Sequence, residues 1–248
     1  MERNELVLAR LSNQYLLRTG ERMEVLRAMN GFQAQFLSNA LYAMRLRSTA
    51  YDTAHAADSL VKSWTLRGTM HIFAETDLPL FLHTGCRYRS RDWTVPSFWN
   101  QRPDWALTPQ RQAYFSDLIV DALAQGPMTR EALKARCRAA GMTQAEEGSI
   151  FHPWGGGIRE LCERGFLCGT VSEEKAFRLC PAFTPMEEQD ALLEQTRRYF
   201  TNYGPASIRD AAYYFGSSQA EIKKRLARLP MKAAEYEGQQ LFSLDSGR

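Results

Sequence analysis

The segment Gly31-Phe-Gln-Ala-Gln-Phe36 places two glutamines one residue apart at a break between two predicted helices. In an extended chain Gln33 and Gln35 project from one side, while Phe32 and Phe36 face the other. A primary amide donates and accepts hydrogen bonds but cannot act as a proton acceptor at neutral pH. Such a pair can therefore orient a bound group. Alternatively, the two amides cap the ends of neighbouring helices, because buried amides need partners.

Basic residues occur close to aromatic residues in a connector over residues 86–107. There Arg87, Arg89 and Arg91 stand beside aromatic rings, a pattern typical of phosphate contacts combined with base stacking. A second basic run, Lys223–Arg228, lies on a predicted helix and either binds phosphate or forms a solvated helix face. The net charge of +3 does not decide the partner, so the placement of the charges has to.

Other kinds of site find little support. His83 and Cys86 have the spacing of metal ligands, but no second pair follows, and we predict no metal site. The four histidines lack a Ser or Cys neighbour in a recognisable nucleophile setting, which argues against a hydrolase triad. The glycines at 155–157 are not followed by the Lys-Ser/Thr of a nucleotide-binding loop.

The composition, with 44% hydrophobic and 24% charged residues, is that of a globular protein and excludes a disordered chain. We find no signal peptide and no apolar run long enough to span a membrane. The five cysteines have no framework spacing, which is typical of reduced thiols. These observations predict a cytoplasmic protein without a membrane partner.

A pattern of elements recurs along the chain. Three helices followed by a hairpin are predicted twice, in copies aligned on Gly126-Pro127 and Gly204-Pro205. A looser third copy at the start has helices over 6–17, 23–29 and 36–47, then strands over 62–66 and 69–74. This order is the winged-helix arrangement. The predicted fold is therefore mainly α with small β-hairpin wings (α+β), built from three tandem winged-helix modules. The predicted segments are 1–85, the connector 86–107, 108–182 and 183–248.

Three stretches carry a resemblance to a known family. Gly31–Gln35, Leu41–Ser48 and Trp64–Ile72, in this order, resemble the AlkZ-like winged-helix DNA glycosylases. The similarity continues through the middle copy into Tyr199–Phe215 and so covers nearly the whole chain. Members of that family release alkylated purines from DNA, and some unhook interstrand crosslinks.

The resemblance implies that Gln33 and Gln35 form the catalytic pair of a monofunctional DNA N-glycosylase that needs no metal and no cofactor. An N7-alkylated guanine already carries a positive charge and leaves as a neutral base, so little acid catalysis is required. The amides then have only to position a water at C1′ and to stabilise an oxocarbenium-like sugar.

Double-stranded DNA is the expected partner. The sequence does not indicate which proteins, if any, bind to the chain. For His71 a structural role on its strand is an alternative. The residues expected to bind nucleic acid are Arg45, Arg47, Ser48, Arg67, His71, Arg87, Arg89 and Arg91.

Two alternatives remain open. The first is a non-catalytic tandem winged-helix DNA-binding or regulatory protein, in which both glutamines are satisfied by helix ends. The second is a winged-helix scaffold for protein interactions. The family usually continues into a C-terminal β-rich domain that helps to form the DNA cradle. Because this sequence stops after the third predicted hairpin, we expect it to lack that domain.

Overall fold

The computed structural model describes residues 1–82, 92–93 and 95–244. Its elements follow one another in this order: α1 (Arg3–Asn13), α2 (Arg22–Ala28), β1 (Phe32–Gln33), α3 (Leu37–Arg45), β2 (Leu60–Trp64), β3 (Met70–Ala74), α4 (Leu78–Phe81), α5 (Pro109–Leu123), β4 (Met128–Thr129), α6 (Arg130–Ala139), α7 (Gln144–Ile150), α8 (Gly156–Glu163), β5 (Leu167–Gly169), β6 (Ala176–Leu179), α9 (Glu188–Asn202), α10 (Ile208–Phe215), α11 (Gln219–Leu226), β7 (Lys232–Tyr236) and β8 (Gln239–Ser243). Helices dominate, and among the described residues the pairs β1–β3, β2–β5, β4–β6, β5–β6 and β7–β8 are antiparallel. The predicted class, mainly α with small β-hairpins, is confirmed at this level.

The chain divides into two compact units. The first comprises Met1–Leu60, Thr65–Phe81 and Met186–Arg248, so the beginning and the end of the sequence share one unit. The second comprises Val61–Trp64 and Leu82–Pro185. The three-module division and its boundaries stay a prediction.

In the first unit, α9, α10 and α11 are followed by the hairpin β7–β8, the order predicted for the end of the chain. Ser207 and Asp210 form the expected capping box at the start of α10, since each side chain accepts from the other's backbone N–H. Phe200, Ala211 and Ile222, one from each helix, are fully buried and form the centre of this core. The helices therefore pack through the apolar faces from which they were predicted.

The second unit contains α5 to α8 and a small sheet in which β5 pairs with β2 and β6, and β6 also pairs with β4. Helix α7 is an addition to the predicted elements. Its signal is present in the sequence, because Thr143 and Glu146 form a capping box. The core gathers Phe115, Leu133 and Ile158 from three of the helices.

Candidate functional site

Strand β1 holds the first glutamine against β3. Phe32 pairs with Ile72 and Gln33 pairs with His71, and the Ala34 N–H donates to the Met70 carbonyl at 2.7 Å. These contacts anchor a strand of only two residues, which would not be stable alone.

Gly31 makes this close pairing possible. Its φ is +76°, and a Cβ added there would lie 2.5 Å from the carbonyl oxygen of Ile72. Both the backbone conformation and the close approach therefore require glycine.

The two glutamines are presented to solvent. Gln33 and Gln35 are exposed, whereas Phe32 and Ala34 are buried, as the alternation predicts. Neither amide makes a hydrogen bond to any residue that the structure describes. This contradicts the interpretation in which both amides cap helix ends, and it leaves four donor and four acceptor positions open to a bound group.

Phe36 departs from the predicted alternation. Its side chain is 68% exposed rather than directed to the core. The strand ends at Gln33, and the backbone bends at residues 35 and 36 before α3 begins at Leu37. The period of two therefore stops applying at this position.

His71 lies behind Gln33 as a neutral side chain. It is only 5% exposed, and Nδ1 lies 3.0 Å from the Thr69 carbonyl oxygen, so Nδ1–H donates and Nε2 carries no proton. Burial, reinforced by the charge of Arg67, lowers the pKa of His71 to about 4. A buried neutral ring supports the strand pair, which argues against the direct DNA contact expected from the sequence.

Ser48 is also buried. Its hydroxyl donates to the Met44 carbonyl at 2.8 Å and thereby satisfies an acceptor in the last turn of α3. This contact, too, argues against a direct interaction with DNA and indicates a role in ending the helix.

Three arginines near the glutamines lack a carboxylate partner among the described residues. Arg45 and Arg67 are exposed, while Arg47 is partly buried and donates through Nη1 to the Ala43 carbonyl at 2.9 Å. Elsewhere arginines are neutralised, for example Arg198 by Asp77 at 2.7 Å. The unpaired guanidinium groups are therefore free to meet an anionic partner.

Arg47 and Arg67 are held by aromatic rings. The Arg47 guanidinium lies 5.6 Å from the centre of the Phe32 ring, and its buried Nε has no hydrogen-bond partner in the described chain. Burial lowers the pKa of Arg47. Arg67, at a left-handed φ of 55°, reaches over the rings of Tyr213 and Tyr214 at 6.0 and 5.6 Å.

Tyr203, at the end of α9, and Tyr214, in α10, form a cluster beside the segment that precedes β1. No role is predicted for this cluster from the sequence. Tyr203 and Tyr214 are packed 5.3 Å apart, and the Tyr203 hydroxyl donates to the Met29 carbonyl. Asn30, 1% exposed, donates through Nδ2 to the Gln195 carbonyl. Burial raises the pKa of both tyrosines, which keeps them neutral. The signal that could have found them is that both lie in the stretch Tyr199–Phe215.

Arg87, Arg89 and Arg91 lie outside the described residues, as do His83 and Cys86. In the basic run on α11, Lys223 and Lys224 are exposed, and Arg228 lies 3.6 Å from Asp190. The described residues contain no group of three metal-ligating side chains. Over the same residues we find no helix of the length and apolarity that crossing a membrane requires.

The chain is similar to known proteins over most of its length. A family model described as DNA glycosylase AlkZ-like matches residues 26–247. The "Interstrand DNA cross-link repair glycosylase" of Streptomyces sahachiroi is 29% identical over 202 residues, which are 75% of this chain and 52% of that protein. The chain thus spans about half the length of this curated relative.

A solved structure, Streptomyces sahachiroi DNA glycosylase AlkZ, has a TM-score of 0.71 and 23% identity, covering 96% of this chain and 69% of the other. This likeness shows a shared fold. Together with the match over residues 26–247, it places the chain in the AlkZ-like DNA glycosylase family.

Proposed function

We propose that this protein is a DNA glycosylase that hydrolyses the N-glycosidic bond of N7-alkylated purines in double-stranded DNA. One observation carries the proposal: Gln33, on the short anchored strand β1, and Gln35, two residues further on, are both exposed and have no hydrogen-bond partner among the described residues. Two exposed arginines have no carboxylate partner among the described residues. Arg45 lies in α3, which follows β1, and Arg67 lies in the turn before β3, which pairs with β1. Family membership supports the same reaction class.

The reaction breaks the bond between C1′ and N9 of the alkylated base. The base takes the bonding electron pair and leaves neutral, because the N7-alkyl group had given it a positive charge. A water oxygen then forms the new bond to C1′, and its proton passes to solvent. Glutamine cannot accept that proton, so the amide oxygens of Gln33 and Gln35 orient the water and stabilise the oxocarbenium-like sugar.

Hydrolysis without a covalent intermediate follows from the same chemistry. An amide nitrogen is not a nucleophile, so neither glutamine forms a Schiff base with the sugar, and the proposed enzyme is monofunctional. The Streptomyces sahachiroi relative is an interstrand DNA cross-link repair glycosylase. The proposed substrates therefore also include interstrand crosslinks whose linked base is an N7-alkylpurine.

Arg45, Arg47 and Arg67 are proposed to contact the phosphates on either side of the damaged nucleotide. Phosphate contacts fix the register of a protein on DNA without reading sequence. His71 and Ser48 act behind this surface, the first by supporting β1 through the pair with Gln33 and the second by ending α3. Arg87, Arg89 and Arg91 are proposed as further phosphate contacts.

The decisive experiment measures base release from a duplex containing N7-methylguanine, together with duplex affinity. Gln33→Ala/Gln35→Ala should abolish release and leave affinity close to that of the wild type. A matched control replaces two exposed glutamines on other elements, Gln125→Ala/Gln219→Ala, and should release base at the wild-type rate.

Tight binding by the wild type without any release would instead indicate a DNA-binding protein without turnover. If neither binding nor release is observed, the nucleic-acid function is wrong.

A further inference from the structure

Phe36 occupies a position that local stability does not favour. As the N-cap of α3 it offers no side-chain acceptor to the free N–H groups of the first turn, whereas Ser, Thr, Asp and Asn do. Only its carbonyl takes part, accepting from Asn39 N–H at 3.2 Å and from Ala40 N–H at 3.4 Å. An apolar ring that neither caps the helix nor packs in the core contributes little to folding, and Phe36 is one of three large apolar side chains that α3 and its cap residues expose.

The position of Phe36 points to that role. Its Cα lies one peptide unit, about 3.8 Å, from that of Gln35. Further along α3 the large side chains of Tyr42 and Leu46 are also exposed, at 61% and 48%. Arg45, exposed and without a carboxylate partner in the described chain, lies between them in sequence. Tyr42, Arg45 and Leu46 lie within about 100° of one another around the helix, opposite the buried Ala40 and Met44. We call these three residues, together with Phe36 at the N-cap, the outer face of α3.

We propose that Phe36 is a wedge that inserts between base pairs beside the damaged nucleotide, with the rest of the outer face of α3 against the groove wall. The inference rests on the proposed function and specifies how the substrate is engaged. Phenylalanine is among the apolar side chains that enter the minor groove and unstack a base step. C1′ of each nucleotide borders that groove, so unstacking opens the sugar to the glutamines.

The charge on this face favours DNA over a second protein chain as the occupant. Arg45 supplies a cation without a carboxylate partner among the described residues, and Arg47 and Arg67 supply two more in the same compact unit. Exposed rings and an unpaired guanidinium group on one helix match a duplex, whose stacked bases lie between phosphate rows.

The test uses a duplex in which 2-aminopurine lies next to a 2′-fluoro N7-methylguanosine, a nucleotide that resists hydrolysis. Binding of the wild type should raise the 2-aminopurine fluorescence, because this base fluoresces when it is unstacked. Phe36→Ala should remove the rise and slow release from the hydrolysable duplex about 5- to 150-fold, the loss that corresponds to one base stacked on an aromatic ring. Phe36→Leu keeps an apolar wedge and should retain most of both signals.

Two further variants separate function from folding. Phe36→Ser supplies a capping hydroxyl, so its melting temperature should equal or exceed that of the wild type while fluorescence and release are lost. Tyr114→Ala removes an exposed aromatic ring of the other compact unit and should leave both signals unchanged.

The outcomes distinguish this inference from the proposed function. Release and fluorescence at wild-type levels in Phe36→Ala would overturn the wedge while the glycosylase stands. If Phe36→Ser loses base release and its melting temperature also falls, the loss reflects unfolding, and the wedge is likewise overturned. A dimer that Phe36→Ala converts to a monomer would assign the face to a second copy. Absence of binding and release in the wild type would remove both proposals.

Discussion

At the scale of single residues, the site depends on two side chains that cannot exchange protons. An amide pair suits a substrate whose leaving group is already activated by its own charge. The neutral His71 behind Gln33 is consistent with this, because its lowered pKa removes a cation from the place where a positive sugar would form. Arg45 and Arg67 lie on segments that adjoin β1 or β3, have no carboxylate partner among the described residues, and are suited to phosphates.

The two glutamines should act as a unit. We expect Gln33→Ala and Gln35→Ala each to lower the single-turnover rate of base release by about 10²- to 10³-fold, the usual loss for one oriented dipole in an active site. The double variant should be no slower than the slower single variant by more than about tenfold, because both amides act on one water and one sugar. Single-turnover release from an N7-methylguanine duplex measures this, and multiplicative losses would show that the two act independently.

His71 should make stability depend on pH. Its pKa is about 4 in the fold and 6.5 in a free chain, so between these values the unfolded state binds the extra proton. The contribution of His71 to the free energy of unfolding is therefore fully present above pH 6.5 and is lost as the pH drops towards 4. The loss between pH 7 and pH 5 is about 2 kcal/mol.

Urea unfolding at pH 7 and pH 5 measures this difference. His71→Asn retains a donor for the Thr69 carbonyl but cannot titrate, so its loss between the two pH values should be smaller than that of the wild type by that amount. Equal losses in both proteins would mean that His71 is not buried as the structure has it.

At the scale of elements, a two-residue strand and a nine-residue helix carry the site. β1 is stable only because it is paired with β3, and α3 begins where β1 has just ended. This tight sequence of strand, turn and helix explains why Phe36 lies at the surface. The Asn30–Gly31 break before β1 is held by α9 through the Gln195 and Tyr203 contacts.

Gly31 should be the most sensitive position of this junction. Gly31→Ala places a methyl 2.5 Å from the Ile72 carbonyl at a positive φ, which should cost about 1–3 kcal/mol of stability and shift β1 away from β3. Gly148→Ala is the matched control, since Gly148 lies within α7 with open space around it and should stabilise by about 0.5–1 kcal/mol. Urea unfolding measures both, and base release should fall only in Gly31→Ala. An equal stability of the two variants would contradict the close pairing.

At the scale of the whole molecule, unpaired charge rather than net charge defines the proposed DNA-binding surface. The chain carries a surplus of only three positive charges. Many arginines are neutralised locally, such as Arg111 by Glu146 and Arg102 by Asp104. What remains for a polyanion are the cations without such partners among the described residues, and Arg45 and Arg67 are two exposed examples on segments that adjoin β1 or β3.

Salt dependence should separate these two classes of arginine. Arg45→Ala and Arg67→Ala should each weaken duplex binding and reduce the slope of log K against log salt by about 1, because one phosphate contact is lost. Arg102→Ala, whose partner is Asp104, should leave the slope unchanged. Duplex affinity between 50 and 200 mM salt, about the range in which such contacts dominate, measures the slopes. An unchanged slope in Arg45→Ala and Arg67→Ala would place the DNA elsewhere.

The sequence by itself determined the helices, the hairpins and the identity of the candidate glutamines. These follow from local causes: apolar periodicity, capping residues such as Ser207, and the alternation within residues 32–35, which buries Phe32 and Ala34. Helix α7 is not among the predicted helices, although the capping box of Thr143 and Glu146 that begins it is an equally local signal.

Only the tertiary structure decided which side chains are available. Gln33 and Gln35 are free of helix ends, Phe36 is exposed, and His71 and Ser48 are buried. The positions of Gln33 and His71 depend on a contact between residues far apart in the chain. The pairing of β1 with β3 and the support of Asn30 by α9 join segments separated by tens to more than a hundred residues. Burial and electrostatic environment arise from such contacts, so local patterns cannot specify them.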